Sequence, residues 1–247
     1  MALTDAELAA DLAAEAGRIL QGLRAESELT GKDLGREGDA AANAYLVERL
    51  RAERPDDGLL SEESKDTDAR LGKARVWIID PLDGTREYGE KRPDWAVHVG
   101  LAIDGAAHTG AVALPDMGTV GLVLRSDRPA ALATPHQPPR MLVSRTRPAA
   151  EAVAVARLLG SELVAMGSAG AKAMAVVTGR AEIYLHSGGQ FEWDNCAPVA
   201  VALAYGLHCS RIDGSPLTYN NRDTYLPDLL ICRPEWAEPV LEAVAGL

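Results

Sequence analysis

Two carboxylates three residues apart, Asp80 and Asp83, end a hydrophobic run in Ile78-Ile79-Asp80-Pro81-Leu82-Asp83-Gly84-Thr85. Pro81 fixes φ and removes a backbone donor, and Gly84 permits a sharp turn. The two acids are therefore delivered on a rigid turn, with the Leu82 carbonyl pointing away from the strand. Two carboxylates and a carbonyl are oxygen donors suited to a hard divalent cation such as Mg²⁺. Gly84, Thr85 and Arg86 then open a helical turn whose free N–H groups are placed to cradle a phosphate. A turn that merely caps a strand would use the same residues, but three further acidic sites favour a metal centre. Leu60-Ser61-Glu62-Glu63-Ser64 places two acids at a strand end, Glu192-Trp193-Asp194 opens a helix, and Gly38-Asp39 precedes one. Taken singly, Asp39 and Asp194 read as ordinary helix N-caps.

Competing chemistries lack their motifs. A haloacid-dehalogenase phosphatase needs its acids two apart, and an EF-hand needs acids at alternate positions and a distal Glu. Met166-Gly167-Ser168-Ala169-Gly170 lacks the first glycine of a nucleophile elbow, and there is no P-loop or Gly-x-Gly-x-x-Gly. The five histidines show no ligand spacing; His98, on a strand, reads as packed, and Cys196 as a small hydrophobe. Three cysteines, Cys196, Cys209 and Cys232, are too few for a disulfide framework and are not spaced like zinc ligands. With 25 Lys and Arg against 36 Asp and Glu, the net charge is −11, which disfavours a nucleic acid polymer as partner. A small phosphorylated substrate remains compatible when metal ions mediate the contact. The start of the chain lacks a signal-peptide pattern, and no run reaches ~18 apolar residues. The expectation is a soluble cytoplasmic protein with no membrane partner.

The elements that must carry these residues divide into two halves. At 247 residues and 47% hydrophobic, the chain is long enough for two lobes with packed cores. Aromatics at 4%, with a single Phe, leave Leu, Val, Ile and Ala to build them. Thr4 and Glu7 form a capping box, and Leu8, Leu12, Ile19 and Leu23 share one helical face. A polar stretch over 27–38 precedes a second helix over 40–53, stopped by Pro55. Strands follow at 76–79, 95–103, 110–114 and 119–124, so this half reads as α+β with a largely antiparallel sheet. The proline-rich stretch 126–140 is the linker. Beyond it, strands at 141–144, 163–166, 183–185, 207–212 and 229–232 alternate with helices at 148–159, 169–178, 195–204 and 235–244. That half reads as α/β. The expected organisation is an N-terminal lobe (1–127) with most candidate ligands, a linker (128–140), and a C-terminal lobe (141–247) carrying Asp194.

The motifs Leu60-Ser61-Glu62-Glu63-Ser64, Trp77-Ile78-Ile79-Asp80-Pro81-Leu82-Asp83-Gly84-Thr85 and Trp193-Asp194 resemble those of the inositol monophosphatase superfamily. The resemblance extends over essentially the whole chain. It implies a Mg²⁺-dependent, lithium-sensitive phosphomonoesterase with two or three ions per site. It further implies a layered αβαβα sandwich with the active site between two lobes. Residue by residue, Glu62, Asp80, the Leu82 carbonyl, Asp83 and Asp194 match the metal ligands. Gly84 and Thr85 match the phosphate cradle, and Asp39 matches the acid that orients the attacking water with Thr85. Glu63 matches a second acid beside the metals, and Arg86 is placed to assist the scissile phosphate. Direct attack by a metal-activated water, without a phosphoenzyme, needs no Cys or His nucleophile.

Three branches of the superfamily compete for the substrate. Seven positions before Asp194, inositol phosphatases carry a Glu that binds sugar hydroxyls; Ser187 stands there. Gly167-Ser168-Ala169-Gly170-Ala171-Lys172 resembles the segment of the 3'(2'),5'-bisphosphate nucleotidases in which a Ser and a Lys hold a second phosphate. Gly214-Ser215-Pro216-Leu217-Thr218-Tyr219-Asn220 resembles a C-terminal stretch of that branch. The resemblance therefore points to adenosine 3',5'-bisphosphate, with Ser168 and Lys172 as substrate ligands. Inositol 1-phosphate and fructose 1,6-bisphosphate are the alternatives, and a non-catalytic phospholigand-binding protein is the remote one. Tyr184, Tyr205 and Tyr219 are the second-lobe rings available to stack on a base. Monomer and homodimer both occur among such proteins.

Overall fold

The computed structural model describes residues 3–118 and 121–247. Thr4 caps the first helix as its side chain dictates, with Glu7 N–H donating to the Thr4 hydroxyl and Thr4 N–H donating to the Glu7 carboxylate. That helix, α1 (Asp5–Glu26), lies beside α2 (Gly31–Glu53). The second helix begins at Gly31, not at 40. The polar stretch before residue 40 hides an inward face of Leu34, Gly35 and Gly38, all buried. A Cβ on Gly35 would lie 2.5 Å from the Thr85 methyl, so the glycines permit close approach and do not break the helix. Asp39 consequently sits within α2, not at its N-cap.

The first sheet runs in chain order: β1 (Gly58–Ser61), β2 (Arg75–Asp83), β3 (Ala96–Ile103), β4 (Ala106–Leu114) and β5 (Leu122–Arg125). β1 and β2 are parallel and the remaining pairs antiparallel. Thr119 and Val120, the start of the expected fourth strand, lie outside the described residues. A short helix, α3 (Thr85–Gly89), follows β2 directly. Residues 126–139 carry no helix or strand. The second sheet contains β6 (Arg140–Ser144), β7 (Glu162–Met166), β8 (Ile183–Phe191), β9 (His208–Ser210) and β10 (Tyr225–Cys232), ordered β7-β6-β8-β10-β9. β6 pairs parallel with β7 and β8, and β10 antiparallel with β8 and β9. The helices of this half are α4 (Ala150–Leu159), α5 (Ala169–Val177), α6 (Glu192–Ala204) and α7 (Pro234–Ala245). β8 and β10 extend well past the apolar runs that announced them, because Ser187-Gly188-Gly189 and Tyr225–Asp228 lack strand periodicity.

Alternation along the strands assigns each face to a layer. Trp77, Ile79, Val97, Val99 and Leu101 pack against α1 and α2. Ala96, Val112 and Leu114 on the opposite face share a core with α5, α6 and the inner residues Leu142, Tyr184 and Ile231 of the second sheet. Met141, Ile183 and Leu230 on the outer face of that sheet pack against α4 and α7. The result is the expected αβαβα sandwich, with α5 and α6 as its middle layer. Among the described residues no helix is long and apolar enough to cross a membrane.

Candidate active site

Residues three apart on a regular strand face opposite sides of a sheet, so Asp80 and Asp83 should diverge. The register shows how they converge. Asp80 pairs with His98 and Asp83 with Ala96, so three steps along β2 match two along β3. Pro81, which has no N–H for the ladder, lies in this one-residue bulge. The extra residue restores a common face, where Asp80 and Asp83 meet Asp194 with carboxylate oxygens within 4.8 Å of one another. Asp194 arrives from the first turn of α6, where its Oδ2 accepts the Phe191 N–H at 2.6 Å.

Burial and like charge dominate the electrostatics here. Asp80 is buried and its carboxyl is pushed well above the usual range, first by loss of water and then by Glu62 and Asp83. Asp194 is held up to about 6 by burial and the Asp83 charge. Much of Glu62 faces solvent, yet its carboxyl end points into the crowd. Desolvation and Asp194 raise it to about 7. Asp39 is pushed to about 8 by burial, then by Glu63 and Glu62, which places the Glu63 charge beside the site. The Thr85 hydroxyl lies 3.3 Å from Asp39 Oδ2 and 3.2 Å from the Leu82 carbonyl, so Thr85 and Asp39 are in contact. Asp39 Oδ1 is buried without a hydrogen-bond partner among the described residues. All the donors are oxygens and several repel one another, so the cluster fits a hard divalent cation.

Asp83 has a second task. Ser168 Oγ donates to its Oδ2, Gly170 N–H donates to the same oxygen at 2.6 Å, and Ala169 N–H donates to Oδ1 at 3.1 Å. Burial would raise this carboxyl, but His98 and these donors outweigh it and hold Asp83 down to about 2. His98 is fully buried: Nδ1–H donates to the Trp193 carbonyl at 3.0 Å, and Nε2 lies 3.2 Å from Asp83 Oδ2. It packs, as its place on β3 implied. Ser168 is the cap of α5, accepting the Ala171 N–H, and is held at φ 49. Its hydroxyl is thus engaged by Asp83 and α5. Gly84 adopts φ +89, and a Cβ there would sit 3.1 Å from Ser168 Cβ, so only glycine suits both the conformation and the approach.

Glu62, Asp83, Gly84, Thr85, Ser168 and Asp194 line a cleft of about 390 Å³ that opens between the sheets. Cationic side chains line the same cleft, Arg145 among them paired with Glu87 and Glu90 at 2.8 Å. Lys172 is buried, donates to the Ser168 carbonyl at 2.6 Å and the Gly167 carbonyl at 3.2 Å, and lies 5.2 Å from the Tyr184 ring centre. Burial lowers its pKa against the pull of Asp83 and Glu87. Arg86 is exposed on the cleft wall, and Arg145 and Arg147 line it from the loop after β6. Those two arginines went unnoticed in the sequence. Their signal was position, since a loop at the C-terminal end of a parallel strand is where α/β layers bind ligands. Among the tyrosines named for stacking, Tyr184 lies fully buried below Lys172, Tyr219 is buried with its hydroxyl donating to Asn195, and Tyr205 reaches the Arg128 carbonyl. The 214–220 stretch braces α6: Asn220 and Asn221 N–H groups both donate to buried Glu192 at 2.7 Å. Ser187 donates its hydroxyl to Glu151 of α4.

The comparisons agree with this architecture. A family model described as the inositol monophosphatase family matches residues 4–245. A protein of Mycobacterium leprae named 3'-phosphoadenosine 5'-phosphate phosphatase is 51% identical, over 98% of this chain and 93% of its own length. The Escherichia coli K12 protein named 3'(2'),5'-bisphosphate nucleotidase CysQ is 30% identical over 76% of this chain and 80% of its length. Among solved structures, an inositol monophosphatase from Anabaena superposes with a TM-score of 0.79 at 23% identity, covering 98% of this chain and 95% of that one. CysQ from Bacteroides thetaiotaomicron gives 0.77 at 24%, covering 93% and 97%. A family match along nearly the whole chain, joined to the sandwich and to the convergent carboxylates, places this protein in the inositol monophosphatase family.

Proposed function

We propose that this protein is a Mg²⁺-dependent phosphomonoesterase that removes the 3'-phosphate of adenosine 3',5'-bisphosphate. The carrying observation is one cleft lined both by the carboxylates Glu62, Asp83 and Asp194 and by the cations Arg86, Arg147 and Lys172, which suits a substrate with two phosphates. The names of the mycobacterial and enterobacterial relatives support the same reading. Glu62, Asp80, the Leu82 carbonyl, Asp83 and Asp194 would hold two or three Mg²⁺ ions. When bound, these supply positive charge to the phosphate and the leaving oxygen. The chain itself supplies position and proton transfer. Gly84 and Thr85 orient the scissile phosphate with help from Arg86, and Thr85 and Asp39 orient a water in line with the P–O bond, beside Glu63. As the water oxygen bonds to phosphorus, its proton passes through the Thr85 hydroxyl to Asp39. The P–O3' bond breaks, and the ribose oxygen takes a proton from solvent. No phosphoenzyme is required: the Thr85 hydroxyl relays the proton, and the Ser168 hydroxyl is engaged by Asp83 and α5.

Lys172 meets the 5'-phosphate within the same cleft, with Ser168 acting through its carbonyl on the lysine. The division into lobes 1–127 and 141–247, joined by 128–140, accounts for a site built from both sides. Phosphate release in Mg²⁺ should be compared for adenosine 3',5'-bisphosphate, inositol 1-phosphate and fructose 1,6-bisphosphate, each with and without Li⁺. A lead for the nucleotide of about tenfold or more in kcat/KM, ~1.4 kcal/mol in the transition state, supports the reading. A lead for inositol 1-phosphate or the sugar bisphosphate would replace the substrate and keep the metal chemistry.

A further inference from the structure

Tyr184 and Tyr219 are buried and Tyr205 is turned to the Arg128 carbonyl, yet the cleft has an aromatic wall. Phe191, the only phenylalanine in the chain, is 42% exposed at the end of β8 and lines the cleft. Its ring stacks on Trp193 with centres 4.9 Å apart and planes at 11°. Tyr225, its register partner on β10 and 47% exposed, meets it edge-on at 6.0 Å. Gly189, at φ +98, lets the Tyr225 ring approach, since a Cβ there would fall 2.7 Å from that ring. Exposing large rings to water is unfavourable, and the chain has few to spare. Three of them nonetheless form one continuous shelf beside the metal-site carboxylates. The link to those carboxylates is direct: the Phe191 N–H donates to Asp194, and the Trp193 carbonyl accepts from His98.

We infer that the Phe191–Trp193–Tyr225 shelf is the base-recognition subsite, where the outer face of Phe191 stacks on the purine of the substrate. The inference rests on the nucleotide reading above and deepens it. A flat apolar face beside Asp194 suits a planar heterocycle attached to the sugar whose phosphate is hydrolysed there. Stacking is sequence-tolerant, so the shelf accepts any purine and contributes affinity more than discrimination between bases.

The test measures kcat/KM for adenosine 3',5'-bisphosphate and for the abasic analogue 1-deoxyribose 3,5-bisphosphate. Both substrates are run on wild type, Phe191→Ala, Phe191→Tyr and Tyr225→Ala. The expected result is a fall of about tenfold in the nucleotide-to-abasic ratio for Phe191→Ala, carried by KM, with rescue by Phe191→Tyr. Tyr225→Ala should lower the same ratio more modestly by releasing Phe191. An equal loss on both substrates, or an unchanged ratio, would overturn the shelf. Binding of adenosine 5'-monophosphate, followed by quenching of indole fluorescence, needs no turnover. Quenching in wild type that Phe191→Ala weakens supports the shelf whichever substrate is hydrolysed, and absence of quenching overturns it. A wild type that prefers inositol 1-phosphate would instead defeat the nucleotide reading, so the two failures are distinguishable.

Discussion

Asp80 and Asp83 are neighbours in sequence with opposite protonation behaviour, because one faces like charges and the other faces donors. Asp80→Asn removes the charge that a cation needs while keeping the shape. Mg²⁺-dependent turnover should fall by at least about a thousandfold, with the circular dichroism spectrum unchanged. Retained activity would sink the mechanism. Lys172 lines the same cleft, and its hydrogen-bond partners are carbonyls, not carboxylates. Lys172→Met should therefore lower kcat/KM for the nucleotide bisphosphate by roughly tenfold to a hundredfold, as expected for one lost charged hydrogen bond. Inositol 1-phosphate, which has a single phosphate, should lose much less. Equal losses on both substrates would remove Lys172 from the second-phosphate subsite.

At the scale of elements, the start of α5 is the hinge pin between the halves. Its first residues bind Asp83 of β2, and a Cβ on Gly170 would lie 2.0 Å from His98 Nε2 on β3. Gly170→Ala should push α5 off the first sheet and destabilise the protein by ~1–3 kcal/mol. It should also weaken Mg²⁺ binding in calorimetry, since Asp83 would lose its donors. An unchanged melting temperature and Mg²⁺ affinity would show that the contact relaxes freely. Pro81 acts on the same scale by bulging β2, which a pattern of apolar and polar residues cannot display. The motif around it was legible as a rigid turn, but the strand continues through it to Asp83.

For the whole molecule, the carboxyls of Asp39, Glu62 and Asp194 stand at about 8, 7 and 6, against ordinary values of 3.8, 4.5 and 3.8. Between those limits the native protein binds protons that the unfolded chain has released, so metal-free stability falls as pH rises from about 4 through 8. Asp83, held at about 2, acts the other way, and its contribution is lost only as pH falls towards 2. The metal-free melting temperature should thus be higher at pH 5.5 than at pH 8, and a rise across that interval would contradict the assigned shifts. Mg²⁺ at a hundredfold excess over Kd should raise it by roughly 5–10 °C at pH 8. The sequence alone determined the Thr4 cap and the close spacing of Asp80, Asp83 and Thr85, because each rests on residue type at short range, whereas the layered architecture was legible only through the family resemblance. The sequence placed Asp39 just before the second helix and not within it, since small glycines at 35 and 38 look like helix breakers until α3 and Tyr88 are seen packed against them. It also missed Arg145, Arg147 and the Phe191 shelf. Those residues share a cleft only because β6, β8 and α6 end on the same side of the sandwich. Contacts between residues distant in the chain are decided by packing, and no local pattern records them.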